Sequence, residues 1–328
     1  MSEQPLVSII TGFYNRKNHV TSSIESLINQ TYPNIEIIIF DDCSTDGTYE
    51  ELKKMELSSP RIKLIKHESN IGFVKGMINA IKLSKGEFVA VHGSGDISTA
   101  DRIDKQIIPF LQFETVGVVG CTVLNTRLDK QGKPLSEKKI NQEKFHGSME
   151  KSILDKNPYT HGEVMFRRKF YDKVGGYRPQ FRFAQDRDLW CRMSRVCDFY
   201  IVPEVLYKRF LHMDGASTKT DKILIQRLLS EFACQCHEQV LNGREDYIEK
   251  YKDQGLLLIQ YNKRLSKKFY SLCMRKYKTK EYKDGKQLAK FLLSKSFNYY
   301  SLKWFFLFYI LSPFMKIYVE RKKKNSFE

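Results

Sequence analysis

The chain has 328 residues, of which 41% are hydrophobic and 13% aromatic, so it can bury a large core and is not intrinsically disordered. Seven scattered cysteines, an odd number without a C-x-x-C pair, indicate reduced thiols and argue against a zinc site. The formal net charge is +17, and residues 241–328, with 21 Lys and Arg against 8 Asp and Glu, carry +13 of it. The two parts of the chain are therefore expected to have different surroundings.

Strand-like and helix-like segments alternate over the first 120 residues. The apolar segments LVSIITGF, IEIIIF, IKLIK and EFVAVH predict strands, and periodic segments such as HVTSSIESLINQ and DRIDKQIIPFLQF predict the helices between and after them. This alternation favours a mostly parallel sheet with helices on both faces. Ligands of such sheets bind beyond the carboxyl ends of the strands, so the loops after Ile10, Phe40 and Val91 are candidate site loops.

The remainder of the chain has a different pattern. The polar segment NTRLDKQGKPLSEKKINQEK separates the alternating half from residues 159–217, where short strands and the helix AQDRDLWCRMSR are expected to form a second half-sheet. After Asp221 the pattern becomes helical and basic.

An aromatic segment over about residues 298–318 suggests contact with a membrane. A spanning helix needs about 20 mainly apolar residues, and Lys303 and Pro313 interrupt this one. Tyr and Trp in the segment, with the basic residues 321–324 behind it, fit a helix in the headgroup region of an anionic membrane. A terminal helix packed on its own domain is the alternative. Because MSEQPLVSII does not resemble a secretory leader, we expect a cytoplasmic protein held peripherally, or by one helix, at the cytoplasmic membrane face.

Acidic residues follow the second predicted strand in the sequence DDCSTDGT. Asp41, Asp42, Ser44 and Asp46 have the residue types of a helix N-cap with an Asx turn. A carboxylate at a strand end is also an acceptor matched to the N–H of a nucleobase. Lys75, in the first turns of the third helix, is either a solvated lysine or a phosphate contact.

The second half of the chain offers further candidates. Asp186 and Asp188 in QDRDLW precede an apolar helix, and capping or ion pairing is the plain interpretation. His212 lies in YKRFLHMDGAST, and a lone histidine is more often structural than a ligand. Asp96 is the single acid of the glycine-rich turn HGSGD after the fourth strand.

Taken in order, these stretches resemble the successive motifs of family-two inverting glycosyltransferases of the GT-A fold. The resemblance covers about residues 5–217, and its specificity comes from the order and spacing of six segments: VSIITGFYNR, NQTYPNIEIIIFDDCSTDGT, NIGFVKGMINAI, KGEFVAVHGSGDISTADRIDKQ, VMFRRKFYDKVGGYRPQF and QDRDLW.

The fold class that this resemblance implies is α/β, with a Rossmann-like, mostly parallel sheet flanked by helices and a helical, basic C-terminal extension. We expect a catalytic domain over 1–220, with a nucleotide-binding half over 1–120 and an acceptor half over 140–220. Residues 221–328 would form a helical, basic region that is a candidate for contact with a membrane.

The resemblance also implies a nucleotide-sugar site. Asp41 matches the acid that reads the nucleotide base, and Tyr14 and Asn15 lie in the loop that packs on the nucleoside. Lys75 occupies the place of a basic residue near the diphosphate. Gly95 is expected to let the diphosphate approach the backbone closely.

For catalysis, Asp186 matches the general base of the family. Asp96 is the last acid of the metal motif, and His212 falls where some members place a histidine close to the metal and diphosphate. The family motif resembles Asp-Ser-Asp-Asp, whereas this chain has Gly-Ser-Gly-Asp at 93–96. Magnesium is often held by one or two carboxylates with phosphates as further ligands. We therefore expect Mg²⁺ or Mn²⁺ to arrive with the nucleotide sugar.

Two further departures concern the nucleotide half. Gly12 and Phe13 replace the proline and threonine that precede the tyrosine in the family. Cys43 stands in a turn where glycine is usual.

The expected function is transfer of a sugar, of the hexosyltransferase type, from a nucleotide-diphosphate sugar to a hydroxyl of a glycan or lipid-linked acceptor. Surface polysaccharide, lipid-linked glycan and glycoprotein glycan synthesis are the candidate settings. Inversion is expected because no second nucleophile is found. A catalytically weakened nucleotide-sugar-binding protein is one alternative. A nucleic-acid-binding protein is another, but no base-reading module is present and no nucleic acid partner is expected. A processive synthase would need several spanning helices.

Overall fold

The computed structural model describes residues 4–129, 131–141, 143–211, 220–295 and 299–311. The chain divides into two compact units. The sheet unit comprises Met1–Gly215 and Cys236–Asp246, and the helical unit comprises Ala216–Gln235 and Tyr247–Glu328.

The described residues of the sheet unit form a ten-stranded sheet. Its strands are β1 Val7–Phe13, β2 Ile35–Asp41, β3 Ile62–Lys66, β4 Phe88–Gly93, β5 Ile97–Ser98, β6 Val116–Leu128, β7 Pro134–Ile140, β8 Phe145–Gly147, β9 Met165–Arg167 and β10 Asp198–Leu211. The spatial order is β3-β2-β1-β4-β9-β6-β10-β5, with β7 beside β6 and β8 beside β10.

The two halves of the sheet differ in strand direction. β3, β2, β1 and β4 are parallel neighbours, as the alternating first half of the sequence predicts. The short strand β9 then runs antiparallel to both β4 and β6, and β10 runs parallel to β6. The sheet is therefore parallel in its first half and mixed in its second half.

Helices cover the sheet and build the helical unit. The α-helices are α1 Val20–Ile28, α2 Thr48–Ser58, α3 Phe73–Leu83, α4 Arg102–Gln112, α5 Arg168–Lys173, α6 Gln185–Met193, α7 Thr220–Leu241, α8 Tyr247–Tyr251, α9 Lys263–Lys278, α10 Tyr282–Lys295 and α11 Tyr299–Phe306. Short 3₁₀ segments lie at Lys17–His19, Ser152–Leu154 and Lys252–Leu258, and a π-helical turn follows α11 at Leu307–Leu311.

Strand β2 explains why both faces of the sheet are covered. Ile37 and Ile39 are buried in one hydrophobic cluster, whereas Ile38 and Phe40 are buried in a second one. Successive side chains of a strand point to opposite faces, so an uninterrupted apolar run such as IEIIIF needs a layer of helices on each side.

The helical unit has its own core, in which Phe269, Leu288, Trp304 and Phe308 are buried together. None of the helices in the described ranges is long and apolar enough to cross a membrane. Of the aromatic segment expected over 298–318, residues 299–311 are described, as α11 and the π-helical turn, and the rest lies outside the described residues.

Candidate functional site

The loops after β1 and β2 are joined by hydrogen bonds. The Asn15 N–H donates to Ser44 Oγ (3.0 Å), and the Thr45 N–H donates to Asn15 Oδ1 (2.9 Å). Asn15 adopts a left-handed backbone conformation, with φ of +50°, that short polar residues tolerate. The neighbouring Tyr14 side chain is 50% exposed. Asn15 thus fixes the loop, while the ring of Tyr14 stays accessible to a ligand.

Asp41 ends β2 and is fully buried. Its Oδ2 accepts a hydrogen bond from the Ser44 N–H (3.0 Å), whereas its Oδ1 is buried without a partner among the described residues. A buried carboxylate oxygen without a donor is costly, so it marks a place where a ligand N–H would complete the hydrogen bonding.

Asp42, the next residue, is structural. Its carboxylate accepts the N–H groups of Ile71 and Gly72, both at 2.9 Å, and lies 3.0 Å from His67 Nδ1. It thereby fixes the loop that leads into α3. Lys75 lies exposed in the first turn of that helix.

The structure accounts for the two departures in the nucleotide half. A Cβ at Gly12 would lie 2.0 Å from Cζ of Phe40, and one at Gly76 would lie 2.3 Å from Cε2 of the same ring. The Phe40 ring therefore needs both glycines. Cys43 takes a φ of +63°, the left-handed conformation for which glycine is the usual residue.

Asp96 is anchored at the end of β4. The Tyr207 hydroxyl donates to its Oδ2 (2.8 Å) and accepts from the Gly93 N–H (2.8 Å), while the Phe210 N–H donates to its Oδ1 (3.0 Å). Burial raises the pKa of Asp96 to about 6, although the Phe210 N–H, the Tyr207 hydroxyl and the charge of Arg209 all lower it. Its carboxylate is thus held in a fixed position between β4 and β10.

Gly95, in the same turn, has a φ of +91°, and a Cβ there would lie 3.1 Å from Cβ of His19. This position needs glycine for its backbone conformation and its packing against that side chain. The expected close approach of a diphosphate remains a prediction.

A buried polar layer lies behind this turn. His92 Nε2 lies 3.1 Å from Ser23 Oγ and 3.0 Å from the Asp96 carbonyl oxygen, and its Nδ1 lies 3.2 Å from Ser98 Oγ. Burial, with the charge of Arg102, lowers the pKa of His92 to about 3, so its ring is neutral. This layer fixes the backbone of the turn that carries Asp96.

Asp186 lies in the first turn of α6 and is half-buried. Asn157 Nδ2 donates to its Oδ2 (2.7 Å). His161, in a strained left-handed conformation with φ of +87°, lies with its Nε2 2.7 Å from the Tyr177 hydroxyl. Burial lowers the pKa of His161, the charge of Asp186 raises it, and that of Arg209 lowers it again. The charge of Arg209 thus acts on both Asp96 and His161.

Asp188 has a different role from Asp186. It is buried and pairs with Arg192 (Nη2 to Oδ2, 2.6 Å) and with Arg178. Burial alone would raise the pKa of Asp188, but these two guanidinium groups lower it. Ion pairing therefore describes Asp188, whereas Asp186 has an amide partner and a half-exposed carboxylate.

The donor set at Asp96 fits a divalent cation whose other ligands come from phosphate and water. Its two oxygens each accept one hydrogen bond and keep lone pairs free, and Mg²⁺ is often held by one or two carboxylates. The described part of the chain contains no cluster of three or more His, Cys, Asp or Glu suited to a metal. The second expected ligand, His212, lies outside the described residues.

Several site residues escaped the sequence analysis. Tyr207 and Arg209 are two residues apart on β10, so both side chains point to the face that carries Asp96. The sequence pattern does not show the register of β10, so neither residue was predicted. Asn157 and His161 lie in an irregular segment. The one available signal was HGE, a polar stretch placed directly before a buried strand.

Comparisons with known proteins agree with this geometry. A family model described as Glycosyl transferase family 2 matches residues 8–175. The Bacillus subtilis (strain 168) protein EpsE, which is named a glycosyltransferase, is 32% identical over 214 residues, covering 63% of this chain and 74% of EpsE. The hyaluronan synthase of Pasteurella multocida is 29% identical over 223 residues, covering 68% of this chain but 22% of the synthase.

Two solved structures share the fold. The mannosyltransferase PcManGT from Pyrobaculum calidifontis, in complex with GDP-Man and Mn²⁺, aligns with a TM-score of 0.55 at 17% identity, covering 77% of this chain and 70% of that one. S. aureus TarS 1-349 in complex with UDP-GlcNAc aligns with a TM-score of 0.55 at 22% identity, covering 76% and 70%. The family match over half of the chain, the similarity to EpsE and this common architecture show that the chain belongs to glycosyl transferase family 2 and has a GT-A fold.

Proposed function

We propose that this glycosyltransferase transfers a sugar, of the hexosyl type, from a nucleotide-diphosphate sugar to an acceptor hydroxyl with inversion at the anomeric carbon. The observation that carries the proposal is the pair of held carboxylates: Asp96, which accepts from the Tyr207 hydroxyl and the Phe210 N–H, and Asp186, which accepts from Asn157 Nδ2. We assign catalysis to residues 1–220, with donor binding in 1–120 and acceptor binding in 140–220.

Asp186 is the proposed general base. Asn157 holds its Oδ2, so the carboxylate is oriented while its half-exposed position leaves room for an acceptor hydroxyl. Proton removal by a positioned base contributes about 10²–10⁴-fold to rate. A single displacement with no covalent intermediate inverts the configuration. A divalent cation held by Asp96, with His212 as the proposed second ligand, would neutralise the departing diphosphate.

Asp41, Tyr14, Asn15, Lys75 and Gly95 are the proposed donor-binding residues. Asp41 offers one unpartnered oxygen, because the other accepts the Ser44 N–H. Uracil presents one N–H to such an acceptor, whereas guanine presents two adjacent donors that match a carboxylate with both oxygens free. The hydrogen bonding of Asp41 therefore favours a uridine diphosphate sugar.

The acceptor is proposed to be a glycan or a lipid-linked saccharide. Relatives named as synthases of polysaccharides, among them hyaluronan synthase, support a role in surface polysaccharide synthesis. We also propose that the basic helical unit holds the enzyme peripherally at an anionic membrane surface, where such acceptors are found.

The test measures donor binding and turnover separately. A thermal-shift screen of UDP- and GDP-sugars with Mn²⁺ identifies the donor by mass action, and release of the nucleotide diphosphate from that donor reports turnover. Asp186→Asn should lower turnover at least about 100-fold and leave UDP affinity unchanged.

The matched control is Asp172→Asn, because Asp172 is an exposed acid in the neighbouring helix α5. It should behave as the wild type. Wild-type turnover in Asp186→Asn would remove Asp186 as the base, and absence of any nucleotide-sugar shift in the wild type would refute the proposed function.

A further inference from the structure

The donor diphosphate poses an electrostatic problem in this site. Asp41, Asp96 and Asp186 are the carboxylates assigned to the proposed site, and a nucleoside diphosphate adds further negative charge there. Like charges at close range repel strongly where water is partly excluded. A metal held by one carboxylate offsets part of this repulsion, so the chain needs a cation of its own near Asp96.

Arg209 lies where such a cation would act. In the antiparallel pair of β10 and β5, Tyr207 lies opposite Ser98 and Lys208 opposite Ile97, which places Arg209 next to Asp96. The N–H of the following residue, Phe210, donates to Asp96 Oδ1 (3.0 Å). Arg209 is half-buried, and its charge acts on Asp96 and on His161.

Two other positive candidates near this turn, Arg102 and His161, are not available to a ligand. Arg102 is fully buried, and its guanidinium donates to Gln106 Oε1 (2.9 Å), Ser98 Oγ (3.1 Å) and the Val91 carbonyl oxygen (2.9 Å). The His161 ring is buried, and its Nε2 is engaged by the Tyr177 hydroxyl. Of Arg102, His161 and Arg209, Arg209 is thus the cation that is both close to Asp96 and half-exposed.

We propose that Arg209 binds the diphosphate of the donor directly. Its positive charge compensates for the acidic metal ligands that the Gly-Ser-Gly-Asp motif lacks. The proposal rests on the proposed function, because it needs a nucleoside diphosphate in this cleft. A guanidinium can donate two parallel hydrogen bonds to phosphate oxygens and remains charged at all working pH values. Donor binding is then partly independent of metal.

The experiment compares UDP and uridine as calorimetric probes of the full chain, with EDTA and again with Mn²⁺. Wild-type protein should bind UDP in EDTA and bind it more tightly with Mn²⁺. Arg209→Met should weaken UDP binding about 10- to 100-fold in EDTA and leave uridine binding unchanged, because uridine has no phosphate. Arg209→Lys keeps the charge but loses the forked pair of N–H donors, so its UDP affinity should lie between those of the wild type and Arg209→Met.

Lys208→Met is the matched control, since Lys208 is the adjacent cation on β10 but points to the opposite face and is exposed. It should bind UDP like the wild type. A cooperative melting transition without ligand establishes that each variant folds. If Arg209→Met does not fold, Arg209→Lys provides the test.

The outcomes separate this inference from the proposed function. Equal UDP affinity of the wild type and both Arg209 variants in EDTA would overturn the role of Arg209 while leaving the donor site intact. Equal weakening of UDP and uridine would also overturn it, because the effect would not lie at the diphosphate. If the wild type binds neither UDP nor GDP in either condition, the proposed function itself fails.

Discussion

At the scale of single residues, adjacent side chains of the same type have different roles. Among the described residues, one Asp41 oxygen is buried without a partner whereas Asp42 accepts the N–H groups of the next loop, and Asp186 is half-buried with an amide partner whereas Asp188 is buried in an ion-pair network. The family resemblance singled out Asp41 and Asp186, but residue type alone could not separate them from Asp42 and Asp188, because capping, pairing and catalysis all use a carboxylate. Only hydrogen-bond partners and burial distinguish them.

His92 shows how burial fixes a protonation state beside the site. Its pKa in the fold, about 3, is below the ordinary 6.5, so the unfolded chain binds a proton that the folded chain rejects. The stabilising contribution of His92 is therefore complete above pH 6.5 and is lost as the pH falls toward 3. Asp96 has the opposite effect on stability: its pKa is raised from 3.8 to about 6, so its contribution is lost as the pH rises.

We therefore predict that the difference in the free energy of unfolding between the wild type and His92→Gln depends on pH. Asp96 is present in both proteins and cancels in this difference. From pH 6.5 downward the advantage of the wild type should shrink by about 1.4 kcal/mol per pH unit. Urea denaturation at pH 5 to 7.5 measures it, and a difference that stays constant over this range would contradict the assignment of a neutral His92.

At the scale of elements, the first half of the sheet followed from the sequence and the second half did not. Uninterrupted apolar runs separated by periodic helices indicate parallel strands. Strand β9, by contrast, has only three residues and enters between β4 and β6 in the antiparallel direction. Such a short strand has no periodicity of its own, so its partners are set by packing that the sequence pattern does not display.

Helix α6 is held by the ion pairs of Asp188. Removing this carboxylate would leave Arg192, 2% exposed, with an uncompensated buried charge, whereas Arg178 would keep its pair with Asp246 (2.9 Å). Breaking a buried pair from one side costs about 3–5 kcal/mol. Asp188→Ala should destabilise the sheet unit by this amount, whereas Asp186→Asn should change its stability by less than about 1 kcal/mol.

Tryptophan fluorescence can measure this loss of stability in the sheet unit alone. The chain has two tryptophans, Trp190 in α6 and Trp304 in the helical unit. In a Trp304→Phe background the urea transition of Trp190 reports on the surroundings of α6. Equal transition midpoints for Asp186→Asn and Asp188→Ala would show that the two acids do not differ as we infer.

At the scale of the whole molecule, the charge asymmetry and one helix face favour contact with a membrane. In α11 and the following turn, Trp304 and Phe308 are buried, whereas Leu302, Phe306 and Ile310 form an exposed apolar stripe. Exposed lysines lie on the same unit, Lys303 among them. An apolar stripe with nearby cations fits the interface of an anionic bilayer.

We predict that the protein sediments with phosphatidylglycerol-containing vesicles and not with pure phosphatidylcholine, and that salt weakens binding. Leu302→Asp with Phe306→Asp should remove most of the bound fraction. Leu257→Asp is the matched control, because Leu257 is an 86% exposed leucine elsewhere in the helical unit. Binding to oligonucleotides with unchanged vesicle binding in the double variant would favour the nucleic-acid alternative instead.

The Phe40 ring has a consequence for how this sequence can change. The ring fills the volume that a side chain at Gly12 or at Gly76 would require. A residue with a Cβ at position 12, such as the proline of the family pattern, is therefore incompatible with Phe40 unless the ring is replaced by a smaller group. Positions 12, 40 and 76 must then vary together, and a single substitution that is acceptable in one relative is unacceptable in another.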